Sequence, residues 1–228
     1  MENLTILGIN FRSSYSLQRF LSYHKLQSYI RHLRLESLED SRSMNVLRLA
    51  NIENLESLGF RSCEYLEELK ITSAGNIRNV REFRSFRSLY YVVISDCNKL
   101  RNLSWLLLAP NLQTIDILRC AEMEEIFSFR QSGEVPEMMR SLNPFPRLGI
   151  LVLEALPTLQ SIYWNALPLS HLKEIKVNNC PQLKKLPLDS NSAKGRKVVI
   201  RGDESWWNEL QWEDQATENV FIPCFRCF

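Results

Sequence analysis

The sequence has few of the residues on which catalytic and metal sites most often depend. Its 228 residues include only three histidines, His24, His32 and His171, which lie far apart along the chain. A Ser–His–Asp or Cys–His arrangement assembles only in the folded chain, so sequence spacing leaves such a site open. Isolated histidines on the surface of a scaffold are the favoured interpretation, and we predict a non-enzymatic protein.

Long apolar runs and strong charge are also lacking. The longest apolar run, residues 103–109, is interrupted by Ser104 and falls far short of the roughly 20 residues that span a bilayer. Met1 is followed by an acidic residue rather than by the basic and apolar regions of a secretory signal. The formal net charge of +2 gives no strong preference for nucleic acid, acidic substrates or membrane surfaces. We therefore predict a cytoplasmic protein without a membrane span or a nucleic-acid partner.

Glycine is scarce as well, whereas leucine is abundant. The chain has seven glycines and 35 leucines, and its glycine share is roughly 3%, against ~7% in typical proteins. A composition skewed in this way calls for a search for internal repeats.

The sequence repeats the pattern L-x-x-L-x-L-x-x-C-x-x-L-x-x-L, in which any aliphatic or aromatic residue can stand at L. Four copies carry a cysteine in the C position and occupy residues 55–69, 89–103, 112–126 and 172–186. A fifth copy, residues 148–162, has Leu156 there, and two weaker copies begin at positions 4 and 30. Most successive starts are 23 to 26 residues apart, within the range of leucine-rich repeats.

This pattern predicts the fold class. The L-x-L alternation is typical of a strand with one buried face, and a single strand cannot bury that face alone, so successive coils must stack on one another. A small, fairly apolar cysteine suits the tight corner at which each strand ends. We predict an α/β leucine-rich-repeat solenoid, with a curved parallel β-sheet on its concave face and short helices or irregular turns on its convex face.

The same pattern divides the chain. Residues 1–188 are predicted to form a solenoid of about seven repeats, with insertions near 72–88 and 128–147. The first insertion carries an arginine series, which we interpret as a solvated loop rather than a nucleic-acid site: Arg78, Arg81, Arg84 and Arg87. The second contains one glycine and three prolines, which are typical of an exposed loop: Gly133, Pro136, Pro144 and Pro146.

Residues 189–228 are predicted to form a C-terminal cap and tail. Residues 197–201 have the composition of a closing strand, and Asp203 is placed to cap a helix over 204–213. Trp206, Trp207 and Leu210 would share one face of that helix and cover the last coil, since terminal coils need a cap. Upstream of the first repeat no such cap is visible, so the chain is expected to be a piece of, or a truncated relative of, a longer protein.

The cysteines do not predict a metal site. Cys63, Cys97, Cys120 and Cys180 are accounted for by the repeat, and in a cytosolic chain they are expected to be buried, reduced thiols. The C-x-x-C at residues 224–227 has no second pair to complete the four ligands of a structural zinc. We interpret it as part of a disordered tail, and we predict no metal and no cofactor.

The concave face is the candidate site for a protein partner. Its outward positions combine tyrosines with both signs of charge, which suits protein recognition, although any sheet must present some side chains to water. The candidate partner-binding residues are Arg31, His32, Arg34, Tyr90, Tyr91, Val93, Gln113, Asp116, Lys173, Glu174 and Lys176.

The repeats and the tail together resemble a known family. The C-x-x-L-x-x-L repeats, as in residues 97–103, are similar to those of plant intracellular nucleotide-binding leucine-rich-repeat resistance proteins, and the coiled-coil class is the closer match. Residues 17–22 and 30–35 resemble the distal repeats of that class, and the tryptophan-rich segment 206–213, with residues 221–223, resembles its C-terminal end. The resemblance covers essentially the whole chain.

The resemblance implies a recognition and regulatory module of an immune receptor. It would contact a pathogen effector, a guarded host protein or the receptor's own nucleotide-binding domain. No G-x-x-x-x-G-K-[ST] segment is present, so ADP or ATP is expected only in the nucleotide-binding domain of a parent receptor. The alternative is a stand-alone interaction scaffold, such as a ubiquitin-ligase substrate adaptor.

Overall fold

The main feature of the computed structural model is one open, parallel β-sheet. The structure describes residues 7–23, 27–38, 45–49, 52–71, 86–127, 144–195 and 197–228. Nine strands form the sheet in chain order: β1 Leu7–Phe11, β2 Ile30–Glu36, β4 Ser57–Arg61, β6 Tyr91–Ser95, β7 Thr114–Leu118, β8 Ile150–Glu154, β9 Glu174–Asn178, β10 Val199–Gly202 and β11 Phe225–Cys227. This sheet confirms the predicted leucine-rich-repeat solenoid.

Each central strand buries alternate side chains, as the repeat predicts. In β7, Ile115 and Ile117 are fully buried while their neighbours face outward. The pairing is in register along the sheet, so Ile115 lies between Val92 of β6 and Leu151 of β8. The second and fourth residues of the five-residue strands therefore form continuous apolar ladders across the coils, and these ladders are the core.

A left-handed residue ends most of these strands. The residues just before the cysteine position have φ angles between 46° and 57° although none of them is glycine: Ser37, Ser62, Asp96, Arg119, Ala155 and Asn179. The amides of the first five donate to the strand end of the next coil, as Arg119 does to the carbonyl of Glu154 at 2.8 Å. The corner is thus tight, and the buried thiol behind it donates to a nearby carbonyl, as Cys120 does to Leu118 at 3.4 Å.

A turn before most strands adds a core position that the sequence pattern does not contain. A buried residue lies three positions before the first leucine of the repeat: Gln27, Ile52, Phe86, Ala109, Phe145 and Leu169. In five of these turns the amide of that leucine position donates to the carbonyl of the buried residue, at 2.9 to 3.3 Å. Phe86 and Phe145 therefore belong to the core. The insertions predicted over 72–88 and 128–147 accordingly end before residues 86 and 145.

The return side of the coils combines several short elements. It contains helix α1, Ser14–Leu21, and a 3-10 helix, Ser104–Leu108. It also contains two strands that were not predicted, β3 Val46–Leu49 and β5 Glu68–Ile71, which form a separate parallel pair. Most of the two insertions, residues 72–85 and 128–143, lies outside the described residues, as do Arg78, Arg81 and Arg84.

Residues 197–228 form a strand, two helices, a 3-10 turn and a final strand that includes Cys227, so the prediction of a disordered tail was wrong. The predicted helix over 204–213 is shorter, α2 Glu204–Asn208, and a second helix follows, α3 Gln215–Phe221. A 3-10 turn, Ile222–Cys224, leads into β11, which pairs with β10. Three residues suffice for this strand because the Phe225 ring stacks on Trp207 at 4.4 Å between centroids.

Trp206 joins this segment to the last repeat. Its side chain is buried, and its indole Nε1–H donates to the carbonyl of Leu183 at 2.8 Å. Asp203 stands at the N-cap of α2 without a side-chain hydrogen bond, whereas Asp214 caps α3 by accepting from the amide of Thr217 at 2.7 Å. These contacts cover the open end of the last coil.

Candidate functional site

The concave face, the side of the nine-stranded sheet opposite the core, carries all eleven candidate residues. Strand register arranges them in rows that run across the coils. One row contains Arg31, Tyr90, Gln113 and Lys173. The last three stand just before their strands, whereas Arg31 is the second residue of β2. Backbone hydrogen bonds link this row from coil to coil, as when the amide of Gln113 donates to the carbonyl of Tyr90 at 2.8 Å. The next row contains His32, Tyr91 and Glu174, and the central row contains Arg34, Val93, Asp116 and Lys176. The structure therefore brings the candidates together on one surface.

Register also adds residues to this surface that the sequence interpretation missed. They occupy the same outward positions but are small, aliphatic or C-terminal to the predicted repeats: Gly8, Asn10, Ser57, Gly59, Thr114, Ile150, Val152 and Arg201. The sequence could have identified these residues by their position in the repeat, because that position predicts an outward side chain whatever the residue type.

Tyr91 and Asp116 form a polar pair at the centre of the concave face. The Tyr91 hydroxyl donates to Asp116 Oδ2 at 3.0 Å. Burial raises the pKa of Asp116, and burial together with the Asp116 charge raises the pKa of Tyr91. The surroundings are apolar, because Val93 and Val152 flank Asp116 in the central row. A half-desolvated carboxylate beside an aromatic ring is the type of group that concentrates binding energy at interfaces.

Two glycines open a groove at the N-terminal part of this face. The groove has a volume of about 240 Å³ and runs from Gly8 across Gly59 to Tyr91. A Cβ on Gly59 would lie 3.3 Å from Cγ1 of Val93 and 3.7 Å from Nε of Arg34. The missing side chain therefore leaves room beside the Arg34 guanidinium, where a partner side chain can enter.

Ion pairs fix much of the charge on the concave face. Arg31 Nε lies 3.4 Å from Glu56 Oε1, and Arg201 Nε donates to Glu174 Oε1 at 2.8 Å. Bonds from Asn10 and Arg12 lower the pKa of Glu36. These pairs are mostly exposed, so they orient side chains more than they stabilise the fold.

The histidines and thiols have structural partners. His32 Nδ1 lies 2.8 Å from Ser57 Oγ, and His171 Nδ1 lies 2.8 Å from the carbonyl oxygen of Pro146, while His24 lies outside the described residues. Burial raises the pKa of Cys120 and of Cys180 to about 11, so these thiols stay protonated. In the part of the chain that the structure describes, no group of three or more His, Cys, Asp or Glu residues is arranged to hold a metal ion.

None of the helices in the described ranges is both long and apolar enough to cross a bilayer.

Comparisons with known proteins identify the repeats. Residues 72–192 match the family model of "Plant disease resistance protein RPS2-like, leucine-rich repeats". Among Arabidopsis thaliana proteins, "Probable disease resistance protein At1g12290" is 36% identical over 96% of this chain. Disease resistance protein SUMM2 is 34% identical and disease resistance protein RPS5 is 35% identical, each over 99% of the chain.

The match to these relatives is confined to part of their length. The chain spans 24% of At1g12290 and 25% each of SUMM2 and RPS5, about a quarter of the curated relatives. The family model, for its part, covers more than half of this chain. The chain therefore belongs to the RPS2-like leucine-rich-repeat family of plant disease resistance proteins and corresponds to their C-terminal leucine-rich-repeat region.

Proposed function

We propose that this chain is the non-enzymatic recognition and regulatory module of a plant immune receptor in the cytoplasm. Its partner would be a pathogen effector, a guarded host protein or the nucleotide-binding domain of the same receptor. The observation that carries the proposal is the Tyr91–Asp116 pair, half-buried among Val93 and Val152 on the concave face. Relatives that are named disease resistance proteins support it, and reduced, buried thiols fit a cytoplasmic location.

The dimensions of the concave face bear on how it would bind. Nine strands ~4.8 Å apart make a ladder about 38 Å long, and three to five residues per strand make it roughly 10–16 Å wide. The projected area, roughly 400–600 Å², is below the ~800 Å² per partner of a standard interface. Strong binding therefore requires that a partner also contact the edges of the solenoid or the rest of a receptor.

The regulatory half of the proposal is tested by association in trans. RPS5 would be expressed without the region that matches this chain, which is 25% of its length. This chain would be co-expressed with it as a separate, tagged polypeptide. We expect co-precipitation, and a loss of at least fivefold in recovered complex when Tyr91 and Asp116 are both changed to Ala, because the pair is a half-buried polar group at the centre of the face.

The matched control is Tyr15→Ala, which removes an exposed tyrosine from helix α1. Equal recovery with the control variant and with wild type is expected. If the concave double variant also leaves recovery unchanged, or if no complex forms at all, the proposed regulatory contact through this face is wrong, and a stand-alone interaction scaffold becomes the better description.

A further inference from the structure

A second pocket on the concave side is lined by hydrogen-bond donors and cations. It lies at the beginning of strands β7, β8 and β9 and has a volume of about 260 Å³. Arg147 and Lys173 bring two positive charges to it, and Gln113 and Thr114 bring neutral polar groups. This pocket shares no lining residue with the groove at Gly59, and it adjoins the Tyr91–Asp116 pair through Thr114, which pairs with Tyr91 in the sheet.

Gly149 makes the pocket possible. It stands in the row between Gln113 and Lys173, where other coils carry a side chain. A Cβ at this position would meet the carbonyl oxygens of His171 at 3.4 Å and of Gln113 at 3.6 Å. Because Gly149 has no Cβ, the bottom of the pocket between the side chains of Gln113 and Lys173 is open and has space for a small group of a ligand.

His171 forms part of the pocket wall. Its Nδ1 lies 2.8 Å from the carbonyl oxygen of Pro146. Asn111 stands at the equivalent position two coils earlier, and its side-chain Nδ2 donates to the carbonyl of Arg87 at 2.6 Å. The imidazole thus takes the place of an amide that links two coils, which fixes one side of the pocket.

The charge of the pocket is unbalanced. No acidic side chain lines it, and within the described ranges neither Arg147 nor Lys173 has an ion pair with a carboxylate. The nearest acid in sequence, Glu174, already accepts from Arg201 at 2.8 Å. Two like charges beside an open floor repel each other, and an anion placed between them would be attracted to both.

We propose that this pocket binds a carboxylate, an Asp or Glu side chain on the surface of the protein partner. The proposal rests on the proposed function, which supplies a protein on the concave face, and it gives that partner a chemical character: an acidic segment that reaches the rim at Arg147 and Lys173. An Arg guanidinium pairs well with a carboxylate, and Gln113 and Thr114 can donate to its second oxygen.

The test uses the whole chain and three probes at matched ionic strength. Amide NMR signals of Gly149 and Lys173 would be followed during titration with the peptide Ac-Gly-Glu-Glu-Gly-NH2, with its Gln-Gln counterpart and with inorganic phosphate. We expect the Glu peptide to shift both signals and to bind at least fivefold more tightly than the Gln peptide. Each of Arg147→Gln and Lys173→Gln should weaken it two- to fivefold, as for exposed ion pairs, whereas Arg147→Lys should retain part of the effect.

The control variant is Lys185→Gln, which removes an exposed lysine away from the pocket and should leave the titration unchanged. Equal binding of the Glu and Gln peptides would overturn the proposal, as would saturation by phosphate with no response to the Glu peptide. Because the peptide titration does not involve Tyr91 or Asp116, a failure here leaves the association experiment above unaffected, and a failure there leaves this pocket standing.

Discussion

Gly202→Ala is the substitution for which the structure gives the sharpest expectation. Gly202 ends β10 directly beneath the Trp206 indole. A Cβ there would lie 2.5 Å from Trp206 Cε3 and 2.7 Å from its Cζ3, and 3.1 Å from the carbonyl oxygen of Val177. The first two distances are below any real Cβ contact, and the third involves backbone of the neighbouring strand, so the added methyl group has no free direction.

The magnitude follows from what must move. Overpacking of a buried site typically costs about 1–3 kcal/mol. Moving the Trp206 ring would also strain or break its hydrogen bond to Leu183, whose net worth is about 0.5–1.5 kcal/mol. We therefore expect Gly202→Ala to lower the free energy of unfolding by about 2–4 kcal/mol. In a repeat protein the loss concentrates where the change is made, here the last repeat and its cap.

The assay is urea unfolding followed by tryptophan fluorescence and by far-UV circular dichroism. The fluorescence transition of Gly202→Ala should move to lower urea more than the dichroism transition, because three of the five tryptophans lie in the C-terminal segment. Gly8→Ala is the control: among the described residues, the one atom within 4 Å of its Cβ would be His32 Cβ, at 3.7 Å, so the stability should change by no more than about 0.5 kcal/mol. Equal stability of the two variants would refute the packing described for Gly202 and Trp206.

Three further predictions follow from the core, the corners and the concave face. Ile115→Ala should cost about 2–5 kcal/mol in urea unfolding, because Ile115 is fully buried in a strand between two others; a cost below 1 kcal/mol would contradict the ladder. Ala155→Gly should stabilise the chain by roughly 0.5–1 kcal/mol, because φ is 52° there, whereas Asn179→Gly, at the same φ, should gain less; a loss for Ala155→Gly would contradict the corner. Asp116→Asn should raise the free energy of unfolding at pH 7. The raised pKa of Asp116 means that the folded chain binds the Asp116 proton more tightly than the unfolded chain does. The stability that the protonated carboxyl contributes is therefore fully present below the ordinary carboxyl pKa and is lost as the pH rises through the folded pKa. The gain should therefore shrink as pH falls, and a gain independent of pH would exclude this cause.

The fold could be predicted largely from the sequence because the repeat fixes both the strand and its register. Once Ile115 and Ile117 are assigned inward, stacking of coils determines their neighbours. The left-handed corner and the turn before each strand were harder to find, because Gln27, Ala109 and Phe145 share a position but no chemistry. Strand β11 could not be predicted, since its three residues depend on the stacking of Phe225 on Trp207, a contact between distant parts of the cap.

The candidate site was predictable as a surface but not as a set of interactions. Alternation marks Tyr91 and Asp116 as outward, yet their hydrogen bond joins different coils on a diagonal and requires the register of β6 on β7. The same holds for the openings at Gly59 and Gly149, where a missing side chain matters only because of what neighbouring coils place around it.

The central claim, that the concave face makes the protein contact, is tested most directly by site-specific photo-crosslinking. A photoreactive phenylalanine would replace Tyr91 or Gln113 on the concave face, or Tyr15 on α1, in the chain expressed in leaf cells, and crosslinked proteins would be identified by mass spectrometry. The account predicts one protein partner shared by positions 91 and 113 and absent at position 15, with a yield at position 113 that falls when Asp116→Ala is added. A partner captured equally well from position 15, or only from there, would contradict it.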